Sequence, residues 1–154
     1  MADTPNFDIH KAHKYFSTDC FNQTWEYINK VDDRSMEENL AMLHTAIASL
    51  WHWSQRQDVK PENLSIGYWQ VSRVYNLISQ PHNAKTYGTL SLKYARDLKP
   101  FYKGYAYETL ARAEMILNNR FIMNVHLGKA REMLEQIEDE EEKQTLFKDL
   151  ETIR

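Results

Sequence analysis

Residues Leu43 to Arg56 read LHTAIASLWHWSQR and place His44, His52, Trp51 and Trp53 within a few turns of one helix. Imidazole exchanges protons and binds metals near neutral pH, so two histidines beside two indoles make either a site or an aromatic core. His10 and His13, spaced i, i+3, share a helical face, and His52 with Glu108 would have to complete a metal site. No spacing brings these residues together, and His10 and His13 lie in a polar stretch where solvated histidines are expected. The catalytic counterpart is a Glu108 general base with His52 as its partner. The chain has no His-Glu-x-x-His, no Glu-x-x-His pair of the di-iron kind and no phosphate-binding glycine loop. Ser49, Ser65, Ser72 and Ser91 lack a nucleophile-elbow context. Cys20, the only cysteine, excludes an internal disulfide and a Cys-based zinc site; on a face with Phe16 it reads as a small core residue. No metal or cofactor is implied.

The elements that must position these residues are helices. The chain has 154 residues, enough for one domain with a sizeable core, and its 42% hydrophobic and 27% charged residues suit a globular protein. Four Gly and four Pro leave little material for turns. The net charge of −3, with no Lys/Arg-dense segment, argues against nucleic acid as a partner. MADTPNFDIHKAHKYF lacks the apolar core of a signal peptide, and no apolar run approaches a membrane span, so a cytoplasmic protein without membrane contact is expected.

Helical periodicity defines seven segments, near residues 8–30, 35–56, 61–79, 81–98, 100–118, 120–137 and 139–152. Ser35-Met36-Glu37-Glu38 has the form of a capping box, and Pro61, Pro81 and Pro100 fall where a missing N–H costs nothing. The acidic run Glu138 to Glu142 reads as a helix start that complements the dipole. Short connections make consecutive helices antiparallel neighbours. The expectation is one all-α domain over 1–154, with hairpins near 8–56, 61–98 and 100–137 and a closing helix at 139–152.

Within 35–56, Leu40, Leu43, Ile47, Leu50 and Ser54 form one face. Met42, Ala46 and Trp53 widen it on one side, His44 and Trp51 on the other. Opposite lie Ala41, Thr45, Ala48 and His52, a stripe of mostly small residues, so the helix is expected to pack on both sides with Trp51 and Trp53 largely buried. His52 leaves the core face and sits among neighbours that could floor a groove.

Pro61 and Pro100 stand 39 residues apart, and the same shift carries Tyr68 onto Tyr107, Val71 onto Leu110 and Ser79-Gln80 onto Asn118-Asn119. The hairpins 61–98 and 100–137 therefore read as copies of one unit. They resemble tetratricopeptide-type hairpins: YWQVSRVY supplies Tyr68, Val71, Ser72 and Tyr75, followed by Ala84, Gly88 and Ser91. YETLARAE supplies Tyr107, Leu110 and Ala111, followed by Met123, Leu127 and Ala130. The period exceeds that family's roughly 34 residues, Glu114 stands where an aromatic is expected, and the turn glycine is absent. The whole chain also resembles a family of uncharacterised bacterial proteins through IASLWHW and YAYETLARA, which brings no activity with it.

The tetratricopeptide resemblance implies a concave surface lined by first helices, where such proteins commonly hold peptides. The shift maps Trp69 onto Glu108 and Arg73 onto Arg112, and His52, Trp69, Arg73, Tyr105, Glu108 and Arg112 form the candidate groove. Guanidiniums offer fixed bidentate donors and aromatic rings offer rigid area, which suits a peptide carboxylate or a small anion. The first reading is thus a non-enzymatic binding or adaptor domain for a peptide, a protein segment or a small anionic ligand. The second is a small hydrolase or metal-dependent enzyme using His52 or His44 with Glu108, and the third a homodimeric scaffold.

Overall fold

The computed structural model describes residues 6–154; residues 1–5, where the polar stretch expected to carry no targeting segment begins, lie outside the described residues. Among the described residues there are seven helices and no strand. They are α1 (Ile9–Ile28), α2 (Met36–Ser54), α3 (Pro61–Leu77), α4 (Pro81–Ala95), α5 (Pro100–Ile116), α6 (Arg120–Glu135) and α7 (Glu140–Leu150). Adjacent helices pack in hairpin-like pairs. No helix among the described residues is long and apolar enough to cross a membrane.

Local chemistry sets the boundaries. The capping box forms in full, with Glu38 N–H donating to Ser35 Oγ at 3.2 Å and Ser35 N–H to Glu38 Oε2 at 3.0 Å. Asp139 caps α7 by accepting from Glu142 N–H at 2.9 Å, and Glu140 to Glu142 occupy its first turn. The α3–α4 and α5–α6 turns close without glycine. Ser79 and Asn118 take φ of 58° and 57°, and the next amides reach back five residues, Gln80 to Tyr75 at 2.8 Å and Asn119 to Glu114 at 2.9 Å.

The packing divides the chain into two compact units, residues 1–60 and 61–154. In the first, α1 and α2 meet through small polar side chains. Ser49 Oγ donates to the Ser17 carbonyl at 2.7 Å, and the Thr24 hydroxyl donates to Thr45 Oγ1 at 2.9 Å. Met42, Ala46, Leu50 and Ile28 are buried beside this seam. The expected α2 core face is therefore corrected. Leu40, Ile47 and Trp51 are 49%, 36% and 53% exposed, His44 is exposed, and Trp53 is half-buried with the Arg56 guanidinium 3.9 Å from its ring centre. The reason is shape: small hydroxyl side chains let two backbones approach and exchange hydrogen bonds, so the seam took Thr45 and Ser49, leaving the large apolar stripe outside.

In the second unit α3 and α5 are central, with α4 packed on both, α6 on α5, and α7 on α5 and α6. Along one face of α3, Val71 is buried while Leu64, Tyr68, Tyr75 and Ile78 are half-buried. The α3 helix is enclosed on most sides, and its buried residues include Ser65, Gly67, Gln70, Ser72, Val74 and Asn76. Among the polar ones, Ser72 Oγ donates to the Ala84 carbonyl at 2.7 Å and Asn76 Nδ2 to the Thr109 carbonyl at 3.0 Å, both across helices. Glu114, 1% exposed where the resemblance called for an aromatic, is paired with Lys85 Nζ at 2.5 Å. Leu146, Leu150 and Ile153 of the C-terminal segment are buried, and Gly104 of α5 makes room for Leu146.

Candidate functional site: the Glu108 cluster and the His13–His52 pair

Two turns of α3, two of α5 and the end of α7 supply one polar cluster. Glu108, on the third turn of α5, is completely buried. Its Oε1 accepts from Arg73 Nη1 at 3.1 Å and from Arg112 Nε, and its Oε2 accepts from Trp69 Nε1 at 3.2 Å. Arg112 Nη2 donates to the Asp149 carbonyl at 2.9 Å and to Thr152 Oγ1 at 2.6 Å. Arg73 Nη2 stands 3.9 Å from the Asp149 carboxylate, which accepts from the Tyr105 hydroxyl at 2.9 Å. The Tyr105 ring lies edge-on to Trp69, 5.1 Å between ring centres. Burial first, and then the Asp149 charge, push the Tyr105 phenol far above its ordinary range.

The structure thus brings together Trp69, Arg73, Tyr105, Glu108 and Arg112 and adds Asp149 and Thr152, which periodicity could not attach to the set because they come from the end of α7 and the residues just after it. Two arginines face two carboxylates, so the cluster is neutral within itself. Both guanidiniums are mostly buried, with 18% and 13% of their side chains exposed. Every donor aimed at Glu108 belongs to the protein, and no face of its carboxylate is open to a substrate. The arrangement holds α3, α5 and α7 in register, a use well suited to buried ion pairs.

His52 sits in the first unit. Its Nδ1 is 2.8 Å from His13 Nδ1, so the expected solvated His13 is corrected to a half-buried partner of His52. Phe16 and Trp51 flank the pair, with ring centres 5.4 Å and 4.8 Å from that of His52. Burial, then the neighbouring His13, lower the His52 pKa. The sequence carried a faint signal for this contact: in an antiparallel hairpin, one turn from the start of α1 lies opposite the end of α2. Among the described residues no group of three or more His, Cys, Asp or Glu is placed to hold a metal ion.

Two surface cavities lie away from these clusters. One of about 220 Å³ is lined by His10, Lys11, Lys14, Arg56, Gln57 and Asp58. Arg56 holds Asp58 by Nε at 2.8 Å and Nη2 at 2.7 Å, which lowers the Asp58 carboxyl to about 2. The other, about 450 Å³, lies between Pro100-Phe101 and the acidic α6–α7 turn. The class defined by the fold is an all-α protein of hairpin-paired helices. Comparison with known proteins finds no family model, no curated protein and no solved structure that matches this chain.

Proposed function

We propose that this chain is a non-enzymatic, cytoplasmic binding domain on a tetratricopeptide-like scaffold, and that it receives an apolar-faced helix of a partner protein. The scaffold reading is supported by first helices that begin at Pro61, Pro100 and Glu140, at nearly constant intervals. The observation that carries the binding reading is the outer stripe of α2: Met36, Leu40, Ile47 and Trp51 are 75%, 49%, 36% and 53% exposed. No Asp, Glu, Lys or Arg occurs between Asn39 and Gln55. A helix with an uncharged apolar stripe in solvent is an unfilled interface.

Area selects the occupant. The four side chains offer on the order of 400 Å² of apolar surface, the size of a functional patch on a monomer and about half of what one side of a stable dimer needs. That suits a single helix docked through its own apolar anchors and released readily. The Glu108 cluster is the less apt docking surface, because its arginines are already matched by Glu108 and Asp149.

The test is selection of helical peptides from a displayed library against the intact protein. The selected sequences should carry apolar residues at i, i+3 or i+4 and i+7. Their affinity should drop at least about tenfold, or ~1.4 kcal/mol, for Trp51→Ala and Leu40→Ala. Binders indifferent to both substitutions, or a dimer in light scattering that buries the stripe, would overturn the proposal.

A further inference from the structure

The same face carries a device for changing its shape. The Nδ1 atoms of His13 on α1 and His52 on α2 are 2.8 Å apart, from positions 39 residues distant in the chain. At that separation one ring must donate its N–H and the other must accept on a lone pair, so the contact requires at least one neutral imidazole. A first proton leaves an imidazolium donating to its neutral neighbour, and the bond survives; a second proton, on the remaining accepting nitrogen, makes both rings donors. Two N–H groups then face each other between two cations, the hydrogen bond is gone, and the rings must part.

We propose that the His13–His52 pair is a proton-operated latch that sets the arrangement of the Trp51 face. The inference rests on the docking reading only for its biological purpose; the latch itself belongs to the α1–α2 hairpin. The mechanical link is direct, because the rings that would part are those against which the patch is built. The Trp51 ring centre is 5.2 Å from that of His13 and 4.8 Å from that of His52, and Phe16 leans on His52 at 5.4 Å.

The surrounding charges favour the neutral, closed form. From α1 come Lys14, His10 one turn before His13, and Lys11, which pairs with Asp8 at 3.9 Å; from the segment after α2 come Arg56 and Asp58, which pair with each other at 2.7 Å. Both pairs cancel, so the surplus is Lys14, a positive charge that opposes a second imidazolium. The lowered pKa of His52 agrees in direction. For the sign, a histidine whose folded pKa lies below its ordinary 6.5 contributes stability that is complete above 6.5. That contribution is lost as pH falls through the folded value. The latch is therefore closed at neutral pH and opens in acid.

The experiment is an NMR titration of the full chain between about pH 8 and 4.5, following both imidazoles and the Trp51 indole N–H, with no partner present. The expected result is coupled titration of the two rings, with His52 turning below 6.5 and the Trp51 resonance moving on the same curve. In His13→Gln the His52 midpoint should rise toward 6.5 and the response of Trp51 should flatten. Should His13→Gln fail to fold by circular dichroism, His52→Gln gives the second test, in which the pH response of Trp51 should likewise flatten. Two rings that titrate independently, or a Trp51 signal unmoved as they titrate, would overturn the latch. Spectra that change on adding a chelator would overturn it too, by showing a metal between the nitrogens. Loss of peptide binding with the coupled titration intact would remove only the docking reading.

Discussion

Replacing Glu108 by glutamine tests whether the arginine cluster is part of the fold. The substitution keeps shape and volume but turns one acceptor oxygen into an amide donor and removes the charge that neutralises Arg73 and Arg112. Both guanidiniums stay mostly buried, and Asp149, 3.9 Å from Arg73, remains as the one carboxylate paired with them among the described residues. Removing one partner of a buried ion pair costs about 3–5 kcal/mol, because the remaining charge is left without compensation. Asp149 offsets part of this, so Glu108→Gln should cost about 3 kcal/mol. For a chain of this length that lowers Tm by roughly 6–12 °C. Urea unfolding followed by circular dichroism reads the loss directly. The combined variant Glu108→Leu, Arg73→Met, Arg112→Met should recover most of it, since apolar groups of similar volume replace a desolvated network at little cost. A loss below about 1 kcal/mol for Glu108→Gln would refute the reasoning, because it would mean that water reaches the carboxylate and the arginines stand free for a ligand.

A second pair of substitutions probes the seating of α7. A Cβ at Gly104 would stand 2.5 Å from Leu146 Cδ2, whereas one at Gly128 meets nothing within 4 Å. Both glycines lie inside helices, so alanine adds about 1 kcal/mol of helix propensity at each. Thermal melts should therefore show Gly128→Ala raising Tm, while overpacking of about 1–3 kcal/mol makes Gly104→Ala neutral or destabilising; equal gains at both would mean that α7 is loosely seated. A third expectation concerns alkaline pH. Tyr105 has a phenol pKa raised above its ordinary 10.0, so its stabilising contribution is present below pH 10 and should fall away as pH rises beyond it. Tyr105→Phe should flatten that decline in urea midpoints measured from pH 8 to 11, and an unchanged slope would dissociate Tyr105 from the effect.

Much of the fold was legible in the sequence because it depends on local chemistry. Prolines at 61, 81 and 100 start helices, since a missing N–H is harmless there, and the Ser35–Glu38 box starts another. The helix starts fall within one residue of expectation, and the ends two or three residues earlier, where the last carbonyls no longer find amides four residues on. The meeting of Trp69 and Arg73 with Glu108 was also legible, because the equal spacing of α3 and α5 placed these residues at matching positions.

What the sequence could not decide is which face of α2 is covered. Apolar residues surround that helix, and periodicity ranks large side chains above small ones. Only a partner helix bearing Ser17 and Thr24 reveals that Thr45 and Ser49 make the seam, while Trp51 stays outside. The same holds for His13 and His52, and for Asp149 and Thr152 beside Arg112. Each of these contacts joins helices that approach each other in space, and the angle and depth of that approach are set by many side chains at once. One chain segment fixes its own turns and caps, but which of its faces becomes interior depends on the surface it meets.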